Sequence, residues 1–162
     1  MLKNKRIFIT GGAGFIGSLL AEKLSHQNMI CIYDTFSRNA LKNRNATQDN
    51  NVTIIEGDVT NELASKKAIT EFSPTHVVHC AAIAGINTVI KSPVNTLRVN
   101  ILGTAYLLDT LKSITGLERV VLFSTSEIFG SHAFQSSESH SAVIGPVGEA
   151  RWTYAVSKLT DE

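Results

Sequence analysis

Tyr154 and Lys158 are the residues of this chain whose types and spacing best suit proton transfer. Residues four positions apart share one face of a helix, so the phenol and the ammonium would be neighbours. A tyrosine titrates near pH ~10, and a nearby ammonium favours the phenolate and lowers that pKa. The pair would then act as a general base near neutral pH. The alternative is a pair that only decorates a helix surface.

A second cluster of polar side chains lies upstream, in Ser124-Thr125-Ser126-Glu127. It directly follows the apolar run Val120–Phe123, a pattern that predicts a strand. Burying four polar residues without hydrogen-bond partners is costly. We therefore expect this cluster to open onto a cleft at the end of that strand.

A glycine-rich segment near the start of the chain, Ile7–Gly17, has the composition of a pyrophosphate site. A β-favouring run enters it and an amphipathic helical pattern follows. Gly11 or Gly12 would allow a sharp turn, Gly14 would leave room for phosphates, and Gly17 would let the helix approach the strand. The helix start would offer free N–H groups and a positive dipole end to the anion. The alternative is a structural turn, but the strand before it and the helix after it favour binding.

Two aspartates close later strands, where ligands of an open parallel sheet bind. Asp34 ends the second strand, 20 residues after Gly14. An acid there accepts hydrogen bonds from ribose hydroxyls and repels a 2′-phosphate, which favours NAD over NADP, although Arg38 lies nearby. Asp58 ends the third strand, where it could meet the adenine amine. Both aspartates could instead cap loops or turns.

The fourth strand ends in small residues, Ala81 and Ala82, which would let the chain pass close to a cofactor. Simple tight packing is the alternative explanation. His79 lies inside the same strand. A hydrogen-bonded core histidine explains His79 better than a catalytic one.

The elements that must position these residues alternate between short apolar strands and helices, which predicts an α/β fold. Right-handed crossovers then give a doubly wound parallel sheet, the Rossmann fold, in strand order 3-2-1-4-5. The strands are predicted at 5–10, 29–34, 52–56, 75–80 and 119–124, and the helices at 14–27, 61–72, 94–113 and from about 151. Residues 36–51 are expected to form a loop or weak helix, and residues 131–150 a loop.

Composition narrows the class of protein further. The 162 residues suffice for one domain, and the net charge of +1 with scattered Lys and Arg disfavours nucleic acid. Cys31 and Cys80 lie in apolar runs without metal-spaced partners, so we expect reduced core thiols, no metal site and a cytoplasmic location. The basic N-terminus leads into a short strand broken by glycines, unlike a signal peptide, and no apolar run reaches the ~20 residues that span a bilayer.

In order along the chain, these residues resemble the extended short-chain dehydrogenase/reductase family, in its NAD-dependent nucleotide-sugar epimerase/dehydratase branch. The resemblance covers nearly the whole chain, with Phe129 where tyrosine is usual. The matching segments are the phosphate loop Thr10–Gly17, the ribose acid Asp34, the adenine contact Asp58-Val59, the strand-four motif His79–Ala82, the structural Asn100, the Ser/Thr motif Ser124–Gly130 and the pair Tyr154 and Lys158.

The resemblance implies a cofactor and a set of site residues. NAD would be bound by Gly11, Gly14, Phe15, Ile16, Gly17, Asp34, Asp58, Val59, Ala81, Ala82, Tyr154 and Lys158. The catalytic residues would be Thr125, Ser126, Tyr154 and Lys158. Tyr154 would take the proton of a sugar hydroxyl, commonly at C4, and Thr125 or Ser126 would bind that hydroxyl. Hydride transfer to NAD would leave a transient 4-keto sugar.

Members of the family differ in the step after this oxidation, and the resemblance favours a nucleotide-sugar 4-epimerase. Dehydratases usually have an Asp-Glu pair after the catalytic Thr, and here Ser126 takes the Asp position. A decarboxylase is a second possibility, since Thr-Ser-Glu occurs in decarboxylase-like relatives and Arg151-Trp152 weakly resembles them. A 4,6-dehydratase and a non-catalytic NAD-binding module are further alternatives.

The length of the chain departs from the family, whose members usually continue for about as long again. We therefore expect residues 1–162 to be the NAD-binding Rossmann domain, the N-terminal part of a longer epimerase/dehydratase, with the substrate domain absent from this chain. The fifth strand would then keep an open edge. Relatives usually form homodimers through two long helices, which here are 94–113 and the one that starts at Trp152.

Overall fold

The computed structural model describes residues 2–44, 49–131 and 133–162. The strands are β1 Arg6–Thr10, β2 Met29–Asp34, β3 Val52–Glu56, β4 His76–His79 and β5 Arg119–Leu122. They form one sheet in the order β3-β2-β1-β4-β5, and every neighbouring pair is parallel. The predicted doubly wound sheet and its strand order are confirmed.

Helices connect the strands. They are α1 Phe15–Leu24, α2 Glu62–Phe72, α3 Ile86–Lys91, α4 Pro93–Leu97, α5 Gly103–Leu111 and α6 Thr153–Asp161. Short 3₁₀ turns lie at Ser25–Gln27, Leu41–Asn43, Ser126–Phe129 and Ala150–Trp152. The predicted elements agree with these bounds to within one or two residues at most ends.

The sheet has an apolar layer on each face, which explains why its central strands are continuously apolar. Alternate residues of β1 point to opposite layers. Phe8 belongs to the cluster that packs against α2 and α5, whereas Ile7 and Ile9 belong to the cluster beside α1. The central strands are therefore packed on both faces. The loops that carry the candidate site begin at the carboxyl ends of these buried strands.

Two differences from the sequence prediction concern the region after β4. Helix α3 was not predicted, because its six residues are too few to show a helical period. The helix expected over 94–113 is continuous from Pro93 to Leu111, but residues Arg98–Leu102 form a π-helical segment between α4 and α5. Such bulges often mark functional positions, and this one contains Asn100.

The predicted loops are only partly described. Within 36–51 the structure shows a single 3₁₀ turn, Leu41–Asn43, and residues 45–48 lie outside the described residues. Residues 131–149 carry no helix or strand where they are described, and His132 lies outside. Among the described parts of the chain, no helix is both long enough and apolar enough to cross a membrane.

Candidate functional site

The loop after β1 turns sharply at Gly11, and its backbone lies directly against the end of β4. Gly11 has a φ of +63°, and a Cβ on it would lie 2.5 Å from the Ala81 nitrogen and 2.7 Å from the Cys80 carbonyl carbon. Both the left-handed conformation and this close approach exclude a side chain. Of the two glycines proposed for the sharp turn, Gly11 therefore has this role.

The start of α1 packs onto the same loop. A Cβ on Gly17 would lie 2.5 Å from the Gly11 carbonyl oxygen and 2.6 Å from the Gly12 Cα, so Gly17 brings the helix against the loop rather than the strand. Gly14 is the N-cap, and no side chain caps the helix. The first N–H groups of a helix have no intrahelical acceptor. Phe15, at the first turn, is 75% exposed.

Asp34 joins the glycine loop to the end of β2. Its Oδ2 accepts a hydrogen bond from the Ala13 N–H at 2.9 Å, and its Oδ1 accepts one from the Phe36 N–H at 2.7 Å. The side chain therefore does cap the local loop, and it also lies beside the helix start. A carboxylate has about four acceptor positions, so two bonds leave capacity for a ligand. Arg38 is exposed.

The side chains of Asp58 and Val59 both make contacts that stabilise the fold itself. The exposed Asp58 holds its own turn, because its Oδ1 accepts bonds from the N–H and the hydroxyl of Thr60, both at 2.8 Å. Val59 is buried, and a Cβ on Gly103 of α5 would lie 2.7 Å from its Cγ2. An adenine contact for these two residues stays a prediction.

His79 is a buried, fully hydrogen-bonded core residue, as the sequence favoured. The Thr104 hydroxyl donates to the Asn100 carbonyl oxygen at 2.7 Å, so it accepts from His79 Nε2 at 3.2 Å. Nδ1 then accepts from the Thr10 hydroxyl at 2.6 Å. Burial, together with the Lys158 charge, lowers the pKa of His79 to about 4. The ring is therefore neutral and serves as a bridge between β1, β4 and α5.

The ends of β4 and β5 carry the next site residues. The half-buried Ala81 donates its N–H to the Thr10 hydroxyl at 3.3 Å, and Ala82 is exposed. After β5, the Thr125 hydroxyl caps the turn Ser126–Phe129 by accepting from the Glu127 N–H at 3.3 Å. The Ser126 side chain is exposed. Ser124 is also exposed, whereas Thr125 and Glu127 are partly buried, and a cleft at this position stays a prediction.

Helix α6 carries Tyr154 and Lys158 and packs against the turn Ser126–Phe129. Tyr154 is partly buried, and among the described residues no group forms a hydrogen bond with its hydroxyl. The Lys158 ammonium instead pairs with Asp161, with 2.6 Å between Nζ and Oδ2. Burial and the charges of Glu127 and Asp161 raise the pKa of Tyr154. The lowered pKa expected from the Tyr–Lys spacing is therefore not found in this structure.

Asn100 ties α6 to the loop after β4. Its Oδ1 accepts from the Ile83 N–H at 2.8 Å, and its Nδ2 donates to the Ile83 carbonyl oxygen at 3.1 Å and to the Ser157 hydroxyl at 2.9 Å. Ser157 lies next to Lys158, so this network links the Lys158 region of α6 to the loop after β4. The structural role implied for Asn100 is thus visible in its contacts.

The structure brings together the predicted residues in two groups. The first is the glycine loop with Asp34 and Ala81. The second is Tyr154 on α6 with the turn Ser126–Phe129, which contains Glu127 and is capped by Thr125. The Lys158 charge acts on His79 and Cys80, which places the ammonium near the end of β4. Sequence reasoning missed Asp161, although an acid three positions after a lysine on a helix is a recognisable ion-pair spacing.

An open parallel sheet with a glycine turn at the switch point and an acid closing the second strand defines a dinucleotide-binding Rossmann domain. The model of the NAD dependent epimerase/dehydratase family matches residues 7–162, and the chain belongs to this family. The predicted family and fold are therefore confirmed.

Similar proteins include both epimerases and decarboxylases. The chain is 31% identical over 163 residues to the UDP-N-acetyl-alpha-D-glucosaminuronate decarboxylase of Bacillus cytotoxicus, covering 98% of this chain and 48% of the relative. The UDP-N-acetylglucosamine 4-epimerase of Methanobrevibacter ruminantium, solved with UDP-N-acetylmuramic acid, superposes with a TM-score of 0.85 at 27% identity, covering 99% and 49% of the two chains. The Bordetella bronchiseptica enzyme WbmG, solved with NAD and UDP, gives a TM-score of 0.81 at 26% identity, covering 98% and 48%. The chain thus spans about half the length of these proteins.

Proposed function

We propose that this chain is the NAD-binding part of a nucleotide-sugar 4-epimerase. The observation that carries the proposal is the uncapped start of α1, which lies on a glycine loop too tightly packed to admit a side chain at Gly11 or Gly17. Free N–H groups at a helix start fit a diphosphate. The adjacent Asp34 fits a ribose without a 2′-phosphate. These residues therefore fit NAD.

The residues proposed to hold NAD divide by the part of the cofactor that each would contact. Gly11, Gly14, Phe15, Ile16 and Gly17 would surround the diphosphate, Asp34 would bind the adenosine ribose, Asp58 and Val59 would meet the adenine, and Ala81, Ala82, Tyr154 and Lys158 would lie along the nicotinamide half. Bound NAD supplies a hydride acceptor.

The proposed proton chemistry belongs to the side chains of α6 and of the turn after β5. Tyr154 would take the proton of the sugar C4 hydroxyl, which Thr125 or Ser126 would hold by a hydrogen bond. The Tyr154 hydroxyl suits this role, because it is free of hydrogen bonds to the described residues. Its raised pKa means that an ammonium must approach before it acts as a base near neutral pH.

A nucleotide-sugar decarboxylase is the second candidate function. It is favoured by the match of 31% identity to such an enzyme over nearly the whole chain. Both activities would share the oxidation at C4, and they would differ in the fate of the 4-keto sugar. We place dehydration last, because Ser126 occupies the position where an acid would be expected.

Cofactor binding tests the first part of the proposal. Calorimetric titration of the 162-residue chain with NAD should give saturable binding with one site per chain, and NADP should bind more weakly because of Asp34. A chain that binds neither dinucleotide would contradict the proposal. Asp49→Asn provides a control, since Asp49 caps a turn at the opposite end of the strands.

Turnover tests the second part. The natural protein that contains this chain should interconvert UDP-sugars that differ at C4 when NAD is bound, and Tyr154→Phe should abolish this activity. Release of carbon dioxide from a UDP-sugar acid would instead identify the decarboxylase. Full turnover by Tyr154→Phe would remove Tyr154 from the mechanism.

A homodimer is also proposed, through the outer face of α4 and α6. The two helices pack together, and their exposed side chains include Val94, Leu97 and Val156, which are 69%, 37% and 39% exposed. Apolar side chains grouped on paired helices are typical of association surfaces. We propose that a second copy of this chain covers them.

A cytoplasmic location is proposed from the two cysteines. Cys31 and Cys80 are free thiols in the structure. Burial raises the pKa of each to about 12, so both stay protonated and inert. Unpaired core thiols of this kind suit a reducing compartment.

A further inference from the structure

Lys158 and Asp161 form an ion pair that is almost completely buried. The ammonium nitrogen lies 2.6 Å from the carboxylate oxygen, and the two side chains are only 3% and 4% exposed. Buried charges persist only where they are paired, so each of these groups depends on the other. Surface pairs on other helices are different, since Lys67–Glu71 is 74% and 66% exposed.

The ion pair joins Lys158 to a residue that lies further along α6 than Lys158, on the side away from Tyr154. Helical side chains lean toward the N-terminus of their helix, so Lys158 would by itself lean toward Tyr154. Asp161 follows Lys158 by three positions, so it lies one turn further from Tyr154 along α6. Its carboxylate engages the ammonium that would otherwise stabilise a Tyr154 phenolate.

The surrounding charges agree with this arrangement. Tyr154 is influenced by Glu127 from the turn after β5 and by Asp161 from α6, and both raise its pKa. The Lys158 charge acts instead on His79 and Cys80 of the β4 end. The Asp161 charge thus reaches both Tyr154 and His79, and the ammonium that Asp161 binds acts on the end of β4.

We infer that Asp161 is a positioning residue that holds the Lys158 ammonium away from Tyr154. The ammonium that would stabilise a Tyr154 phenolate is then engaged by a carboxylate, so Tyr154 stays protonated near neutral pH. The inference rests on the proposed function only for the role of Tyr154 as the base, because the ion pair involves only residues of this chain.

The titration of Tyr154 tests the inference without any activity measurement. The chain has three tyrosines, so the tyrosinate absorbance of each protein is compared with that of the same protein carrying Tyr154→Phe. The difference curve reports Tyr154 alone. We expect Asp161→Asn to increase the ionisation constant of Tyr154 by about tenfold or more, as the freed ammonium approaches the phenolate. Asp161→Glu should restore the high pKa.

A double-mutant comparison separates positioning from a direct charge effect. If Asp161 acts by holding Lys158, most of the shift caused by Asp161→Asn should disappear in a Lys158→Met background. An equal shift in both backgrounds would show that the carboxylate acts on Tyr154 directly and would overturn the inference. If Asp161→Asn causes no shift of the Tyr154 pKa in the chain that keeps Lys158, the inference is overturned as well.

A measurement on the unaltered chain covers the case in which Asp161→Asn does not fold. In a sample with isotope-labelled lysine, the Lys158 ammonium should give a slowly exchanging signal, identified by its loss in Lys158→Arg. The absence of a protected ammonium signal would overturn the inference.

Adding NAD to the same samples distinguishes this inference from the proposed function. If Asp161→Asn shifts Tyr154 through Lys158 but calorimetry shows no NAD binding, the ion-pair inference stands and the cofactor proposal fails. If NAD binds and the Tyr154 titration does not respond to Asp161→Asn, the cofactor proposal stands and the inference fails.

Discussion

The glycines of the loop after β1 have separate roles, because each faces a different neighbour. Gly11 combines a positive φ with a close contact to the β4 backbone, whereas Gly85 has a positive φ of +97° and no atom within 4 Å of the Cβ position. Substitutions at these two residues therefore distinguish the cost of a positive φ from the cost of steric overlap. The spacing of the glycines predicted the loop, but only the packing shows which glycine is indispensable.

We expect Gly11→Ala to destabilise the fold by more than Gly85→Ala. A positive φ of this kind costs a non-glycine residue on the order of 1–3 kcal/mol at either position. At Gly11 the methyl group must also push the β4 backbone away, which should raise the loss to about 3 kcal/mol or more. Urea unfolding measures both values, and equal losses would contradict the contact with β4.

Protonation of His79 should make the fold sensitive to acid. Its folded pKa is about 4, below the usual 6.5, so the unfolded chain binds a proton first as the pH falls. Stability should therefore be complete above about pH 6.5 and decline between about pH 6.5 and 4, by about 3 kcal/mol in total. His79→Gln should flatten this pH dependence of the unfolding free energy. A slope that persists in the variant would assign it to other groups.

Asp34 should contribute both to binding and to the choice of cofactor. Asp34→Asn removes a charged acceptor beside the glycine loop, so the affinity for NAD should fall about tenfold, as for the loss of a charged hydrogen bond. The preference for NAD over NADP should narrow, because the repulsion of a 2′-phosphate is lost. Calorimetry with both dinucleotides measures this ratio, and an unchanged ratio would contradict the role.

At the scale of elements, the π-helical segment Arg98–Leu102 explains how α6 is held. The segment contains Asn100, whose side chain bonds to both backbone groups of Ile83 and to Ser157. Three elements therefore meet at one buried amide. The sequence predicted one uniform helix here, because the hydrophobic pattern of residues 94–113 does not reveal a single extra residue in a turn.

We expect Asn100→Ala to cost about 2–4 kcal/mol of stability, since it leaves both backbone groups of Ile83 without their partner. Asn95→Ala is a matched control on the same helical run, because Asn95 is exposed. It should change the unfolding free energy by less than about 0.5 kcal/mol. Equal effects of the two substitutions would contradict the linking role of Asn100.

At the scale of the whole molecule, the exposed apolar face of α4 and α6 should govern association. We expect the chain to sediment as a dimer and Val156→Glu to shift it to the monomer, because a charge would be buried at the interface. Leu63→Glu is the control, since Leu63 is 79% exposed on α2, away from this face. A parent chain that sediments as a monomer at every concentration would contradict the proposed dimer.

The sequence by itself determined the fold class and the family, because these depend on local patterns and their order along the chain. The strand order then followed from the rule of right-handed crossovers. Apolar runs, glycine spacing and the residues that close each strand are all readable within short windows, and the structure confirms the sheet that they predict. Short elements were harder, and α3 was missed because six residues carry too little periodicity.

Only the tertiary structure decided the electrostatics of the site. Spacing alone paired Tyr154 with Lys158, but in the folded chain the ammonium lies against Asp161 and the pKa of Tyr154 is raised. The physical reason is that a lysine between two possible partners on one helix binds the partner that burial and the neighbouring charges favour. The surrounding groups belong to β4 and to the turn after β5. These elements are distant from α6 in sequence and meet it only in the fold.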